Sequence, residues 1–421
     1  MTIEEETNGA VASELPRAIE RGGLLRALHN RDYRLLWIGQ FGHAAAFWVE
    51  TIARSWLIWE LTGSATLLAT VNLLRAIPLL GLGLFAGVLA DRFDKRKILI
   101  ICQAITLINY ILIATLIAAG VVQVWHVLLS AFIMGCSMSF NQPARSSLIP
   151  SLVGKDELQS AVALNSVAVN VTRVIGPGVA AVLIAPLGIS GIYYISAGVY
   201  VLALTTTFMM RVPAVIARVV RTSLQTDIGE TFRYVYKTKT ILALVLLALV
   251  PMVFGHPYMT VLPIFADKVL HVGASGYGWL QSATGIGAIS VVLLIAASKR
   301  FSHKGLFTLI GIFGFGALLM VFSQSTWFTL SLVIMGFVGL TSTASRVFIH
   351  TSLLEIAPPE MRGRVMSVYT LDRGLVPLGT MIVGLLADAI GAPLALLAMG
   401  SVCMLLPLFM GIGVPFIRRM P

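Results

Sequence analysis

Twelve long apolar segments dominate this chain, and they constrain its fold more than any other feature. Each has about the length that an α-helix needs to cross a bilayer, roughly 20 residues. Only 12% of the 421 residues are charged, against about 25% in soluble domains, so polar residues are too few to cover a water-facing surface. We therefore predict an all-α integral membrane protein with twelve transmembrane helices. The segments run over residues 35–59, 65–90, 98–119, 124–142, 158–187, 191–210, 240–266, 276–298, 305–322, 327–349, 364–389 and 392–416.

Lysine and arginine are concentrated in alternate connections between the segments. Of the 30 basic residues, 24 lie in the termini, in connections that share one side of the membrane or, as Arg364 does, at the edge of a segment on that side, and 5 lie deeper within segments. Lys268 alone lies in a connection on the other side. The positive-inside rule places the basic side in the cytosol. We therefore expect a multi-pass protein of the cell (inner) membrane with both termini cytosolic.

The twelve segments divide into two sets of six, and short stretches near residues 90–95 and 298–304 resemble each other. Such parallel repeats occur in secondary transporters. Leu224, Ile228, Phe232 and Val235 recur at helical spacing between the halves, which predicts an amphipathic helix there. We expect a cytosolic tail at residues 1–33, six-helix bundles at 34–211 and 240–416, a cytosolic linker at 212–239, and a cytosolic C-terminus at 417–421.

The connection after the second segment carries the sharpest local motif. Residues 87–97 read Gly-Val-Leu-Ala-Asp-Arg-Phe-Asp-Lys-Arg-Lys. This stretch resembles the G-x-L-A-D-R-x-G-R-K motif of the major facilitator superfamily, although Asp94 stands where glycine is usual. The resemblance implies two six-helix bundles and a gating role for four residues, Gly87, Asp91, Arg92 and Arg96.

Further stretches resemble particular branches of that superfamily. Gly176, Pro177 and Gly178 in the fifth segment are similar to a motif of its antiporters, although Thr172 stands where another glycine is usual. Residues 60–65 and 358–367 resemble the bacterial branch that contains the enterobactin exporter and macrolide and multidrug efflux proteins. The resemblance extends from about residue 24 to residue 416. It implies export by a transporter that works as a monomer.

Several charged residues lie within the apolar segments. A charge at the bilayer centre costs about 2.5–3.5 kcal/mol, so each is expected to face the protein interior. Burial favours a protonated carboxyl group, whereas a nearby cation favours an ionised one. Glu50 is accordingly either the site of a coupled proton or the fixed partner of Arg54 or Arg75, and Asp372 is the second candidate for the proton. The predicted cavity residues are Glu50, Arg54, Arg75, Arg173, Arg346 and Asp372, together with His43, Asn141, His256 and Tyr258.

The remaining motifs limit the function. No G-x-x-x-x-G-K-[ST] phosphate loop occurs, so transport must draw its energy from gradients. The three cysteines have no metal-ligand spacing, and the basic residues form no single patch for nucleic acid; we expect no metal and no cofactor. We predict proton-coupled export of an amphipathic drug-like or siderophore-like molecule by alternating access. An importer or exchanger of an anionic metabolite stays open because arginine predominates among the buried charges, and a membrane enzyme or receptor is a more remote alternative.

Overall fold

The computed structural model describes residue 23 and residues 25–212, 233–297 and 303–413, without the side chains of residues 84, 87–92, 155, 372, 373 and 413. All of its bounded elements are helical, as the sequence predicted. The predicted linker helix lies mostly outside the described residues.

Five α-helices make up most of the described part of the first half. They are α1 (Arg31–Thr62), α2 (Ala65–Arg92), α3 (Lys95–Ala118), α4 (Val124–Leu152) and α5 (Leu158–Met209). The 52 residues of α5 are enough for two membrane crossings, and Gly188 interrupts the helical backbone at a φ of 65°. Glycine adopts that left-handed conformation without a steric penalty. The predicted fifth and sixth segments therefore form one long helix that is interrupted at Gly188.

The described part of the second half contains eight α-helices with defined bounds. They are α6 (Lys239–Val250), α7 (Tyr258–Ile264), α8 (Gly273–Ala297), α9 (Lys304–Ser323), α10 (Phe328–Ile356), α11 (Pro359–Thr370), α12 (Val376–Ile390) and α13 (Ala392–Gly413). Wide π-helical turns, Pro251–Gly255 and Phe265–Val269, flank α7. A short 3₁₀ helix, Leu371–Leu375, separates α11 from α12. The seventh and eleventh segments are thus broken helices, and π-helical turns are frequent at functional sites.

Nine helical stretches within the described residues are long and apolar enough to cross a membrane. The stretch 158–209 counts once among the nine, whereas α1 and the broken helix of α11 and α12 are not among them. The fold is that of an all-α membrane protein, and the number of twelve crossings stays a prediction.

Two predicted helix ends were too early. The tenth segment was expected to end at residue 349, but α10 continues to Ile356. The fourth segment was expected to end at residue 142, with Arg145 beside the following loop, but α4 continues to Leu152 through Pro143 and Pro150. A proline inside a helix removes one backbone hydrogen bond, and neighbouring helices in a membrane protein can compensate for that loss. Arg145 consequently lies inside the helix, with only 4% of its surface exposed.

Glycines allow α8 and α10 to meet backbone to backbone. A Cβ atom added at Gly287 would lie 1.8 Å from the carbonyl oxygen of Gly336, and one added at Gly339 would lie 1.9 Å from that of Thr284. Small residues at helix crossings permit this close approach in membrane proteins. Gly287 and Gly339 therefore fix how closely the two helices can pack.

This contact predicts that Gly287→Ala lowers the apparent Tm of the purified protein. Forcing an extra carbon atom into a packed interface costs about 1–3 kcal/mol. Gly81→Ala is the matched control, because Gly81 lies inside α2 and has nothing within 4 Å of its added Cβ. Thermal unfolding in detergent should show a lower apparent Tm for Gly287→Ala only. Equal decreases of the apparent Tm in the two variants would contradict the α8–α10 contact.

The Cα positions group into two compact units. Among the described residues, the first contains those within 1–53, 77–176 and 186–219, and the second contains those within 54–76, 177–185 and 220–421. Parts of α1, α2 and α5 therefore belong to the unit that holds the second half of the chain. The division into bundles at residues 34–211 and 240–416 stays a prediction.

Candidate functional site

Three of the predicted cavity charges lie in the protein interior. Glu50 and Arg54, one turn apart on α1, are 1% and 2% exposed, and Arg75 on α2 is 9% exposed. Within the second unit, Nη1 of Arg54 donates a hydrogen bond of 3.3 Å to Oδ1 of Asn72. Ionised groups are rarely this buried unless they are paired or hydrogen-bonded. Protein groups rather than water therefore surround these three side chains.

His43 belongs to a polar aromatic cluster in the first unit. Its Nδ1 lies 2.5 Å from the hydroxyl of Tyr200, which is 1% exposed. The ring of Tyr110 packs edge-on against Tyr200 and Tyr193, with centroids 5.3 and 5.8 Å apart. A titratable imidazole and a phenol thus share a hydrogen bond between α1 and α5. This pairing could not be predicted from local sequence, because 157 residues separate His43 from Tyr200.

Asn141 contacts a buried arginine, Arg145, that was not among the predicted cavity residues. Nε of Arg145 donates to Oδ1 of Asn141 at 3.3 Å, one turn away on α4. Asn141 is 3% exposed, and neither terminal nitrogen of Arg145 has a hydrogen-bond partner among the described residues. An incompletely satisfied buried cation is costly. With the end of α4 predicted correctly, Arg145 would have been counted among the charges inside membrane helices.

The Gly176-Pro177-Gly178 stretch makes close helix contacts. A Cβ atom at Gly176 would lie 2.6 Å from Cβ of Trp48 within the first unit. In the second unit, a Cβ atom at Gly178 would lie 2.9 Å from Oγ of Ser282. Helix packing alone therefore accounts for the small residues of this stretch, without a role in coupling transport to protons. Arg173, one turn earlier on α5, is half-buried.

His256 and Arg346 form a polar pair in the second unit. Nη2 of Arg346 lies 2.7 Å from Nε2 of His256, which follows the first π-helical turn directly. Because a guanidinium can only donate, this geometry requires Nε2 to be unprotonated. Phe315 packs against the rings of His256 and Tyr258, with centroids 5.8 and 6.3 Å apart, and Tyr258 is 3% exposed. The result is a cation beside a titratable imidazole and two aromatic rings.

The predicted gating motif is described in part. Asp94 has a φ of −60° and caps α3, since its Oδ1 accepts from the backbone N–H of Arg96 at 2.9 Å. An N-cap aspartate explains why no glycine is needed at this turn. The Arg96 side chain donates to the carbonyl of Thr207 at 3.0 Å and to that of Phe208. The other gating residues, Gly87, Asp91 and Arg92, and the second proton candidate, Asp372, fall outside the described side chains.

The candidate residues divide between the two units. Glu50, His43, Asn141 and Arg173 belong to the first, and Arg54, Arg75, His256, Tyr258 and Arg346 to the second. Within these units the structure pairs His43 with Tyr200, Asn141 with Arg145, Arg54 with Asn72 and His256 with Arg346. No cluster of three or more histidines, cysteines and carboxylates suited to a metal ion occurs in the described part of the chain.

Comparisons with known proteins extend over most of the chain. The family model for transmembrane secretion effectors matches residues 23–418. The chain is 24% identical over 355 residues to the staphyloferrin A transporter of Staphylococcus aureus, covering 82% of this chain and 86% of that protein. It is 25% identical over 383 residues to the multidrug efflux pump Tap of Mycolicibacterium fortuitum, covering 88% and 93% respectively. A solved bacterial homologue of the human lysosomal transporter Spinster superposes with a TM-score of 0.71 at 14% identity, over 92% of this chain and 98% of that one. At that identity the superposition shows a shared fold.

Proposed function

Because the chain belongs to the transmembrane secretion effector family of the major facilitator superfamily, we propose that it exports an amphipathic small molecule in exchange for protons. Membership confirms the resemblance seen in residues 87–97, and the chain is a membrane transporter rather than an enzyme. Relatives named for a siderophore and for multidrug efflux support a siderophore-like or drug-like substrate. Export proceeds by alternating access, in which the two bundles expose the substrate site to each side in turn.

Glu50 carries the proposal of proton coupling. It is a carboxyl group inside a membrane helix with 1% of its surface exposed. Intramembrane carboxylates mark proton pathways in pumps and transporters, because a neutral acid is far cheaper to hold there than an ion. Glu50 takes up a proton in the outward-open state and releases it to the cytosol, and the substrate moves the other way.

The buried arginines favour an anionic group on the substrate. Arg54 and Arg145 are 2% and 4% exposed, and Arg346 lies beside the imidazole of His256. A planar guanidinium can bind a carboxylate through two parallel hydrogen bonds. This observation also supports a second candidate function, the import or exchange of an anionic metabolite. The two functions differ in the direction of transport.

Transport in cells tests the proposal. The chain is produced in a bacterial strain that lacks its major efflux pumps, and the accumulation of ethidium, a macrolide and a catecholate siderophore is measured. Export requires that at least one probe accumulates less, and that a protonophore abolishes the difference. Increased uptake of a carboxylate metabolite, with all three probes unaffected, would instead support the importer.

The proposed topology predicts which cysteines an impermeant maleimide can label in intact cells. In a variant whose native cysteines are replaced, Val121→Cys and Thr326→Cys should react, because both positions are exposed in connections assigned to the outside. Tyr236→Cys is the control; Tyr236 is 76% exposed and lies on the side assigned to the cytosol. Labelling of Tyr236→Cys alone would show that the orientation is the reverse of the one proposed, with both termini outside.

A further inference from the structure

Asp388 binds the start of a helix that lies more than 320 residues earlier in the chain. Its Oδ1 accepts a hydrogen bond of 2.7 Å from the backbone N–H of Ala65, the first residue of α2. Its Oδ2 accepts from the N–H of Thr66 at 2.9 Å and from Oγ of Ser64 at 2.8 Å. All four residues belong to the second compact unit. The carboxylate of α12 therefore acts as an additional cap for α2.

The local sequence explains why α2 needs this carboxylate. Its first turn contains no acidic residue, and Ser64 supplies one local acceptor, with Oγ 3.3 Å from the N–H of Leu67. The free N–H groups at a helix start favour a negative charge. Asp388, by contrast, lies near the end of its own helix at Ile390, where the free carbonyls disfavour a negative charge. The negative charge of Asp388 is thus stabilised by the start of α2 and disfavoured by the end of α12.

The two helices are in direct contact beside this cap. A Cβ atom at Gly384, one turn before Asp388, would lie 2.8 Å from Cβ of Ala69 and 2.9 Å from the carbonyl oxygen of Ala65. Gly384 on α12 and two alanines one turn apart on α2, Ala65 and Ala69, allow the backbones to approach closely. The contact between α2 and α12 is therefore tight at this point.

A second carboxylate joins another pair of helix ends in the same unit. Nε1 of Trp59, near the end of α1, donates a 2.9 Å hydrogen bond to Oδ2 of Asp267 in the second π-helical turn. Trp59 is 7% exposed. In the proposed topology, both carboxylate contacts lie at the outer ends of their helices. In each contact, a donor from the first half of the chain meets an acceptor from the second half.

We propose that Asp388 is a positioning residue that latches the outer ends of α2 and α12 together and is released when the transporter opens to the outside. This inference rests on the proposed alternating access. The latch is suited to repeated opening because Asp388 is exposed and Ser64 and Thr66 are half-buried, so water can hydrate the separated groups. The bond between Trp59 and Asp267 likewise joins the first half of the chain to the second at the proposed outer side.

Removal of the latch is expected to shift the conformational equilibrium without unfolding the helices. Replacing a helix cap by alanine changes a local equilibrium by about fivefold. Asp388→Ala should therefore raise the ratio of outward-open to outward-closed molecules by about that factor, and Asp388→Asn by less, because it keeps one carbonyl acceptor. Glu60→Gln is the matched control, since it removes an exposed carboxylate near the end of α1.

The test measures the distance between spin labels on Leu61→Cys and Ile390→Cys in the full chain, reconstituted in lipid nanodiscs with the native cysteines replaced. Both positions are exposed, at 37% and 48%. Support for the latch requires a distance distribution with two populations, a short and a long one. The fraction of molecules at the long distance should increase from the parent through Asp388→Asn to Asp388→Ala, and Glu60→Gln should leave it unchanged. Two distances in unchanged proportion in Asp388→Ala would overturn the latch and leave alternating access intact. One common distance in every protein, at every pH tested, would contradict alternating access itself.

Discussion

Glu50→Gln is expected to abolish proton-driven export while exchange of substrate down its gradient continues. Glutamine has the shape of the protonated acid and cannot release a proton, so the transport cycle loses its coupled step but keeps its substrate site. Both activities are measured in proteoliposomes, with an imposed pH gradient for export and with labelled substrate for exchange. Glu60→Gln serves again as the control, because Glu60 is an exposed acid on the same helix.

A different result would identify Glu50 as a fixed ionic partner. Removing one member of a buried ion pair typically costs about 3–5 kcal/mol, because the other charge stays buried. Glu50→Gln would then lower the apparent Tm as well as every transport activity. A stable Glu50→Gln protein that still concentrates substrate with a normal pH dependence would contradict both roles, and the proton would have to move through Asp372 or His256.

His256→Leu is expected to have the second-largest effect. The change removes the acceptor that lies 2.7 Å from Nη2 of Arg346. Hydrogen bonds to charged groups contribute about 1.5–3 kcal/mol, so export should fall by about 10-fold to 150-fold, with a lower apparent Tm. His256→Gln is the matched variant, because its amide oxygen can accept from the same guanidinium. It should keep most of the export activity.

The two His256 variants also separate positioning from proton transfer. If His256 only orients Arg346, His256→Gln keeps both export and its pH dependence. If His256 carries the coupled proton, His256→Gln loses proton-driven export but keeps exchange, which is the result assigned above to Glu50→Gln. That outcome would contradict the role proposed for Glu50.

The helices could be predicted from the sequence because the bilayer requires long apolar segments. The starts predicted at residues 65, 124 and 158 are the first residues of α2, α4 and α5. Prolines were harder to interpret. Pro143 and Pro150 lie inside α4, which continues as an α-helix, whereas the turn that begins at Pro251 is π-helical. Whether a proline ends, bends or widens a membrane helix depends on the helices packed against it, which local sequence does not specify.

The interior charges could be predicted because each is expensive in a membrane, whereas their partners could not. The partners of His43 and Arg346 come from distant helices, at Tyr200 and His256. The same reason explains why Asp388 was missed. Near a helix end it resembles an ordinary solvated acid, and only the folded chain brings it to the start of α2, at Ala65. Periodicity predicts which face of a helix is buried but not which residues it meets.

Simultaneous recording of substrate and proton movement in proteoliposomes tests the central claim most directly. The purified transporter is reconstituted with a pH-sensitive dye inside the vesicles, and the substrate identified in cells is loaded on the side equivalent to the cytosol. Proton-coupled export predicts that substrate leaves that side while protons enter it, at a fixed ratio, and that Glu50→Gln stops the proton movement. Substrate movement with no proton movement, or movement of both in the same direction, would contradict proton-coupled export.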